Sequence, residues 1–139
     1  MEIRPFEERD KASVVQLWID CGLVVSWNNP DHDIQRKLKV QPELFLVAHS
    51  GGQIIATVMA GYEGHRGWIN YLAVLPQHQR SGIGRRMMDE AERRLHAAGC
   101  PKINLQVRSS NAAIIEFYKR IGFKIDDVVS LGKRLQPHR

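Results

Sequence analysis

The sequence lacks most of the features that would place it outside an ordinary globular class. Its two cysteines, Cys21 and Cys100, have no C-x-x-C spacing and no secretory context, so both read as reduced, partly buried thiols rather than a disulfide framework. No stretch reaches the ~18 apolar residues of a membrane span, and Met1-Glu2-Ile3-Arg4-Pro5 carries no apolar run of signal-peptide length. A cytoplasmic protein with no membrane partner is expected. Low-complexity tracts and internal repeats are also missing, which argues against a disordered or solenoid chain. An unbroken basic face is absent too. The net charge is +5, and Arg80, Arg85, Arg86, Arg93 and Arg94 crowd around one segment, but they alternate with Asp89, Glu90 and Glu92. That mixture favours an anionic partner other than nucleic acid.

What is present is a chain of 139 residues, long enough for one domain over 1–139 that buries roughly 70% of its unfolded surface. Glu2 to Phe6 reads as a strand. Glu8 to Cys21 reads as a helix with Val14, Val15, Leu17, Trp18 and Cys21 inward. The turn-rich Ser26-Trp27-Asn28-Asn29-Pro30-Asp31 leads to a short helix from about Asp31 to Val40 that buries Ile34 and Leu38. Three strands follow, Leu44 to Ala48, Ile54 to Ala60 and Trp68 to Leu75, joined by Ser50-Gly51-Gly52 and by Glu63-Gly64-His65-Arg66-Gly67. Apolar positions 87, 88, 91, 95 and 98 predict a helix over Arg85 to Ala98, and Ile103, Leu105 and Val107 alternate as a strand. Asn111 to Ile121 reads as the last helix, and Phe123 to Leu135 as one or two closing strands. The order β-α-α-β-β-β-α-β-α-β implies a mixed α/β fold, largely antiparallel, in which the strands ending at Leu75 and Val107 are parallel across a crossover.

The most informative segment is Gln79-Arg80-Ser81-Gly82-Ile83-Gly84, between a strand closed by Pro76 and a helix. At such a junction the first N–H groups of the helix lack partners, and glycines let phosphates approach them. A dinucleotide fingerprint would need glycine where Met87 stands, and a P-loop would need Gly-Lys-Ser/Thr. Neither is met.

In these residues the chain resembles the GCN5-related N-acetyltransferases, the GNAT superfamily, whose acetyl-coenzyme A motif Q/R-x-x-G-x-G/A is matched by Gln79 to Gly84. A second segment agrees: Asn111 opening the next helix, Tyr118 within it, and Gly122-Phe123 after it. Two motifs in register on the expected strand, turn and helix contexts are a specific signal. Met1 to Arg4, Ser26-Trp27-Asn28, the Gly61 to Gly67 turn and Ser130 to Leu135 are further similar to small, stand-alone bacterial YpeA-type members.

The resemblance implies acetyl-CoA as co-substrate, no metal, and an amine acceptor. It assigns phosphate contacts to Arg80, Ser81, Gly82, Ile83, Gly84 and Arg85, places Gln79 among the coenzyme A-binding residues, and gives main-chain pantetheine contacts to Leu72, Ala73 and Val74, beside splayed parallel strands. Asn111 would touch coenzyme A, and Tyr118 would give a proton to the departing sulfur. Asn111 fits a helix cap equally well. Some relatives that acetylate protein N-termini carry L-E-V-R where this chain has Leu105-Gln106-Val107-Arg108, so a candidate carboxylate base is replaced by a neutral amide. Glu63 and His65 are the remaining candidates for a base acting through water. Trp27, Asn28, Asp31 and Asp33, with Glu63 and Gln106, are candidates for the acceptor side, where aromatic and acidic groups hold a cationic amine. The neutral Gln106 keeps open a second reading, an acyl-CoA-binding sensor or interaction module without turnover. Relatives are often homodimers, and the last strands, with Val128, Val129 and Leu131, are the candidate homodimer interface.

Overall fold

The computed structural model describes residues 1–137. They fall into two compact units, one from Met1 to Leu105 and a second beginning at Gln106. The first holds β1 (Glu2–Pro5), α1 (Lys11–Asp20), α2 (Pro30–Lys37), β2 (Phe45–Ser50), β3 (Gln53–Tyr62), β4 (Gly67–Val74), α3 (Ile83–Ala97) and β5 (Ile103–Leu105). The five strands form one sheet in chain order, antiparallel from β1 through β4 and parallel between β4 and β5. This is the mixed α/β architecture expected.

Burial explains why the central strands read as continuous apolar runs. β2 from Phe45 to Ala48 and β3 from Ile54 to Ala60 are buried without alternation, because helices cover both faces of the sheet. Thr57 on β3 accepts the Trp18 indole N–H of α1 at 2.9 Å. Three residues on, and so on the opposite face, Ala60 pairs with Ile69, two along from Gly67. A Cβ on Gly67 would lie 3.4 Å from Leu95 of α3 and 2.7 Å from the Cys100 sulfur, so only glycine fits there. α1 therefore lies on one face and α3 on the other. α3 buries Met87, Met88, Ala91 and Leu95, as their spacing predicts.

Three differences from the sequence reading have physical causes. α3 starts at Ile83, not Arg85, because Gly82 is its N-cap, so Ile83 and Gly84 belong to its first turn. α2 is expected to bury Ile34 and Leu38; Ile34 is buried, Leu38 is half-buried just past the end of the helix, and Lys37, three residues from Ile34 and so on the same side, is buried. Its ammonium donates to the Ala60 carbonyl at 2.5 Å, while the Gln41 amide pairs with both the N–H and the carbonyl of Tyr62. The second unit contains α4 (Ala112–Arg120) but no strand among the described residues. The closing strands expected over Phe123 to Leu135 are not formed, since no strand within that unit offers a ladder. Val128, Val129, Leu131 and Leu135 are left exposed.

The N-terminal strand is tied down by one ion pair. Arg4 donates twice to the buried Asp10 carboxylate, at 2.7 and 3.0 Å, and Asp10 also accepts the Glu7 N–H at 2.8 Å. The Arg4 hydrogen bonds hold the Asp10 carboxyl below the usual carboxylate range, against the opposing effect of burial. A carboxylate whose folded pKa is depressed stabilises fully above its unfolded value near 3.9, and that contribution is lost as pH falls through the folded value. Asp10→Asn is therefore expected to cost about 2 kcal/mol at pH 7. The difference from wild type should shrink below about pH 4, as chemical denaturation across pH would show.

Candidate functional site

The site is built where β4 ends. After Leu75 the chain turns through Pro76–His78, and the Gln79 side-chain amide folds back to donate to the Val74 carbonyl at 2.9 Å. The Ser81 hydroxyl closes on the His78 carbonyl at 2.5 Å. Arg80 (φ 64) and Gly82 (φ 84) both take left-handed backbone, which compresses the turn and aims it at the start of α3. The first bond of the helical ladder runs from Arg86 N–H to the Gly82 carbonyl at 3.1 Å. The N–H groups of Ile83, Gly84 and Arg85 therefore have no acceptor among the described residues, and a glycine N-cap brings no side chain to take them. Arg80, Arg85 and Arg86 are exposed beside them with no carboxylate partner among the described residues. Arg93 and Arg94, by contrast, both engage Glu90, and those bonds hold its carboxyl below the usual range. The geometry suits a multiply charged phosphate group.

The second feature is the outer edge of β4. Its parallel ladder with β5 covers Gly67↔Ile103, Trp68↔Asn104 and Ile69↔Leu105 and then stops, while β4 continues to Val74 paired with β3 alone. Leu72, Ala73 and Val74 therefore present main-chain groups without a strand partner on that side, leading from the end of the parallel ladder to the glycine turn.

The third is an extra residue in β4. Thr57↔Ala73 and Met59↔Asn70 are successive pairs, so two steps on β3 face three on β4. The surplus is taken up around Tyr71, whose φ of 51 is left-handed. The Tyr71 carbonyl accepts from the buried Thr57 hydroxyl at 2.8 Å, and its ring stacks on Trp18 with centroids 3.8 Å apart. The Tyr71 hydroxyl donates to Asp33 Oδ2 at 2.5 Å and accepts from Asn28 Nδ2 at 2.7 Å. Burial, reinforced by the Asp33 hydrogen bond, pushes its pKa well above the usual tyrosine range. Spacing alone did not single out Tyr71. Asn28 also takes the Val25 N–H and gives to the Leu23 carbonyl, so it shapes the loop between α1 and α2 from inside. Trp27 in that loop is exposed. Asp31 pairs with Lys11 and Asp33 with Arg36.

Two sequence candidates lie elsewhere. Glu63 and His65 sit at the tip of the β3–β4 hairpin, and the glycine turn follows the other end of β4, about 23 Å away by strand rise. Glu63 Oε1 accepts the His65 and Arg66 N–H groups, each at 2.5 Å, and those bonds hold its carboxyl below the usual range. Its oxygen is committed to the turn.

In the second unit, Tyr118 is buried with its ring edge-on to Phe117 and Phe123, at 5.1 and 5.4 Å. Burial pushes its pKa up to about 12, so it is protonated at neutral pH. Asn111 caps α4, its side chain accepting the Ile114 N–H at 3.4 Å. Gln106 is exposed and donates to the Ser130 hydroxyl at 2.5 Å.

The description of the acetyltransferase (GNAT) family matches residues 11–123. An acetyltransferase of Yersinia pestis (strain Pestoides F) is 45% identical over 135 residues, which are 97% of this chain and 96% of that protein. Among solved structures, Ard1 from Thermoplasma volcanium superposes with a TM-score of 0.78 at 25% identity, over 90% of this chain and 83% of that one. The fold is also shared with the aminoglycoside N-acetyltransferase AAC(6')-Iy in complex with CoA, with a TM-score of 0.74 at 16% identity over 96% and 99% of the two chains.

Gly82 tests the turn directly. A Cβ there would meet nothing within 4 Å, so the cost of Gly82→Ala is backbone alone. It is expected to be about 1 kcal/mol, read from the midpoint of urea unfolding at unchanged slope.

Proposed function

The chain belongs to the acetyltransferase (GNAT) family, and from that premise we propose that it transfers an acetyl group from acetyl-CoA to a primary amine by direct attack. The observation that carries the proposal is the run from the unpartnered edge of β4 to the bare N–H groups of Ile83, Gly84 and Arg85. It supports a ligand with an amide-containing arm ending in a pyrophosphate. The arm pairs with the main chain of Leu72 to Val74, and the pyrophosphate sits on the turn from Arg80 to Arg85, with those two arginines adding charge.

The chemistry follows from the bonds that change. The amine lone pair attacks the thioester carbon, and the carbonyl becomes an oxyanion stabilised by a main-chain N–H of the β4 edge. The C–S bond then breaks, the sulfur leaves as thiolate, and the ammonium proton passes to water. Tyr118 gives the thiolate its proton and regains one from the water that took the ammonium proton, an assignment that rests on its motif and its protonated state. The proposal gives Glu63 no base role, since its Oε1 is held by the hairpin tip, and keeps His65 beside it as the candidate acting through water. Gln106 cannot replace them. The acceptor is a primary amine of a small metabolite or a peptide N-terminus.

The neutral Gln106 favours one other reading, a sensor that binds acyl-CoA without turnover. Acetyl-CoA is expected to raise the melting temperature, and a screen of small amines and N-terminal peptides should show thiol release that Tyr118→Phe slows by about tenfold to a hundredfold. No stabilisation by any acyl-CoA would reject the proposal. Stabilisation without turnover on any amine would leave the sensor.

A further inference from the structure

We propose that Tyr71 is a positioning residue for the acceptor: its hydroxyl clamps the loop between α1 and α2, and the first turn of α2, onto the bulge of β4. The inference rests on the transferase reading above and adds a residue to its acceptor side.

The argument starts from the two faces of β4. Thr57 and Ala73, being directly opposite, point toward α1, and Tyr71 reaches the same side, since its ring lies on Trp18. The ligand edge of the strand is main chain, but this face is made of side chains. One residue therefore belongs to both. The Tyr71 backbone is the surplus residue of the bulge, immediately before Leu72, and its hydroxyl ends on Asp33 and Asn28 in the elements across from it.

The hydroxyl is committed in both directions. It donates to a carboxylate and accepts from an amide whose other bonds hold Leu23 and Val25. Asn28 thus passes the position of β4 into the loop, and Asp33 passes it into α2. A hydrogen bond to a carboxylate is roughly twice as strong as a neutral one, so this link fixes the loop more firmly than its own turns do. The groups facing the hydroxyl are Trp18 from α1, Asn28 from the loop and Asp33 from α2, with Arg36 paired to Asp33. An amine approaching the thioester from the α1 side meets a wall whose distance from the β4 edge is set by this one hydroxyl.

Tyr71→Phe keeps the ring on Trp18 and removes only the clamp. For any amine the wild type acetylates, its KM is expected to rise about tenfold, the value of one such hydrogen bond, with the KM for acetyl-CoA unchanged. Hydrogen exchange of Leu23 to Asn29 should quicken while β3, β4 and the start of α3 stay protected. Asp33→Ala should give the same pattern, and the double variant should be no worse than either single one. Acceptor and donor KM rising together, or exchange in the loop unchanged, would overturn the clamp. The exchange and acetyl-CoA calorimetry need no acceptor, so they decide the clamp even if no amine is turned over. Failure of the wild type to bind acetyl-CoA would count against the transferase reading instead.

Discussion

The arrangement depends on one buried hydroxyl. Thr57 accepts from the Trp18 indole and donates to the Tyr71 carbonyl, so a single side chain on β3 ties α1 to the irregular point of β4. A bulge leaves main-chain groups out of the ladder, and a buried carbonyl without a partner costs about 1–3 kcal/mol. Thr57 supplies that partner. With the carbonyl satisfied on the β3 side, β4 can carry its extra residue, hold Tyr71 in left-handed backbone and still pair again at Ala73. The edge running to the glycine turn exists because this local cost is met.

From this follows a division of the strand. On the proposed reading, the donor side is mostly main chain, the edge of Leu72 to Val74 and the first amides of α3, with the exposed Arg80 and Arg85 adding charge. Other side chains there brace the backbone, as Gln79 does on Val74, with the Cys21 thiol on the same carbonyl at 3.2 Å. The proposed acceptor side is instead made of side chains drawn from α1, α2 and their loop.

The same division explains what was legible in the sequence. The strands, the crossover and the glycine turn could be read because apolar spacing and glycine placement report local backbone. The start of α3 was missed by two residues because Ile83-Gly84 looks like turn until Gly82 is seen to cap it. Tyr71 escaped notice because a tyrosine inside an apolar strand is ordinary. Only the register against β3 turns its hydroxyl toward Asp33, 38 residues earlier. Lys37 was hidden for a related reason: its partner is a carbonyl, which no side-chain pattern announces. The tail was misread in the other direction, since Val128, Val129 and Leu131 have strand propensity but no ladder within their unit. Glu63 drew attention as a carboxylate near the right strand, and its commitment to two turn amides is visible only in three dimensions.

On the proposed reading, the lack of a free carboxylate base gives the acceptor loop its weight. A lysine-like amine with pKa near 10.4 costs about 4.6 kcal/mol to deprotonate at pH 7, whereas an α-amino group near 8 costs about 1.4. With a neutral Gln106 and a Glu63 held at the hairpin tip, that cost falls on the substrate. Orientation can offset it, because fixing two reactants in attacking geometry lowers a barrier by up to about 7–11 kcal/mol. That offset is available only if the wall holding the amine does not move relative to the thioester. A loop of turn residues would not meet that condition alone, and a loop joined through Asn28 and Asp33 to the backbone of β4 does. On the proposed reading, the chemistry that a carboxylate would supply is carried by geometry, and the geometry by a tyrosine whose backbone lies on the proposed donor side and whose hydroxyl lies on the proposed acceptor side.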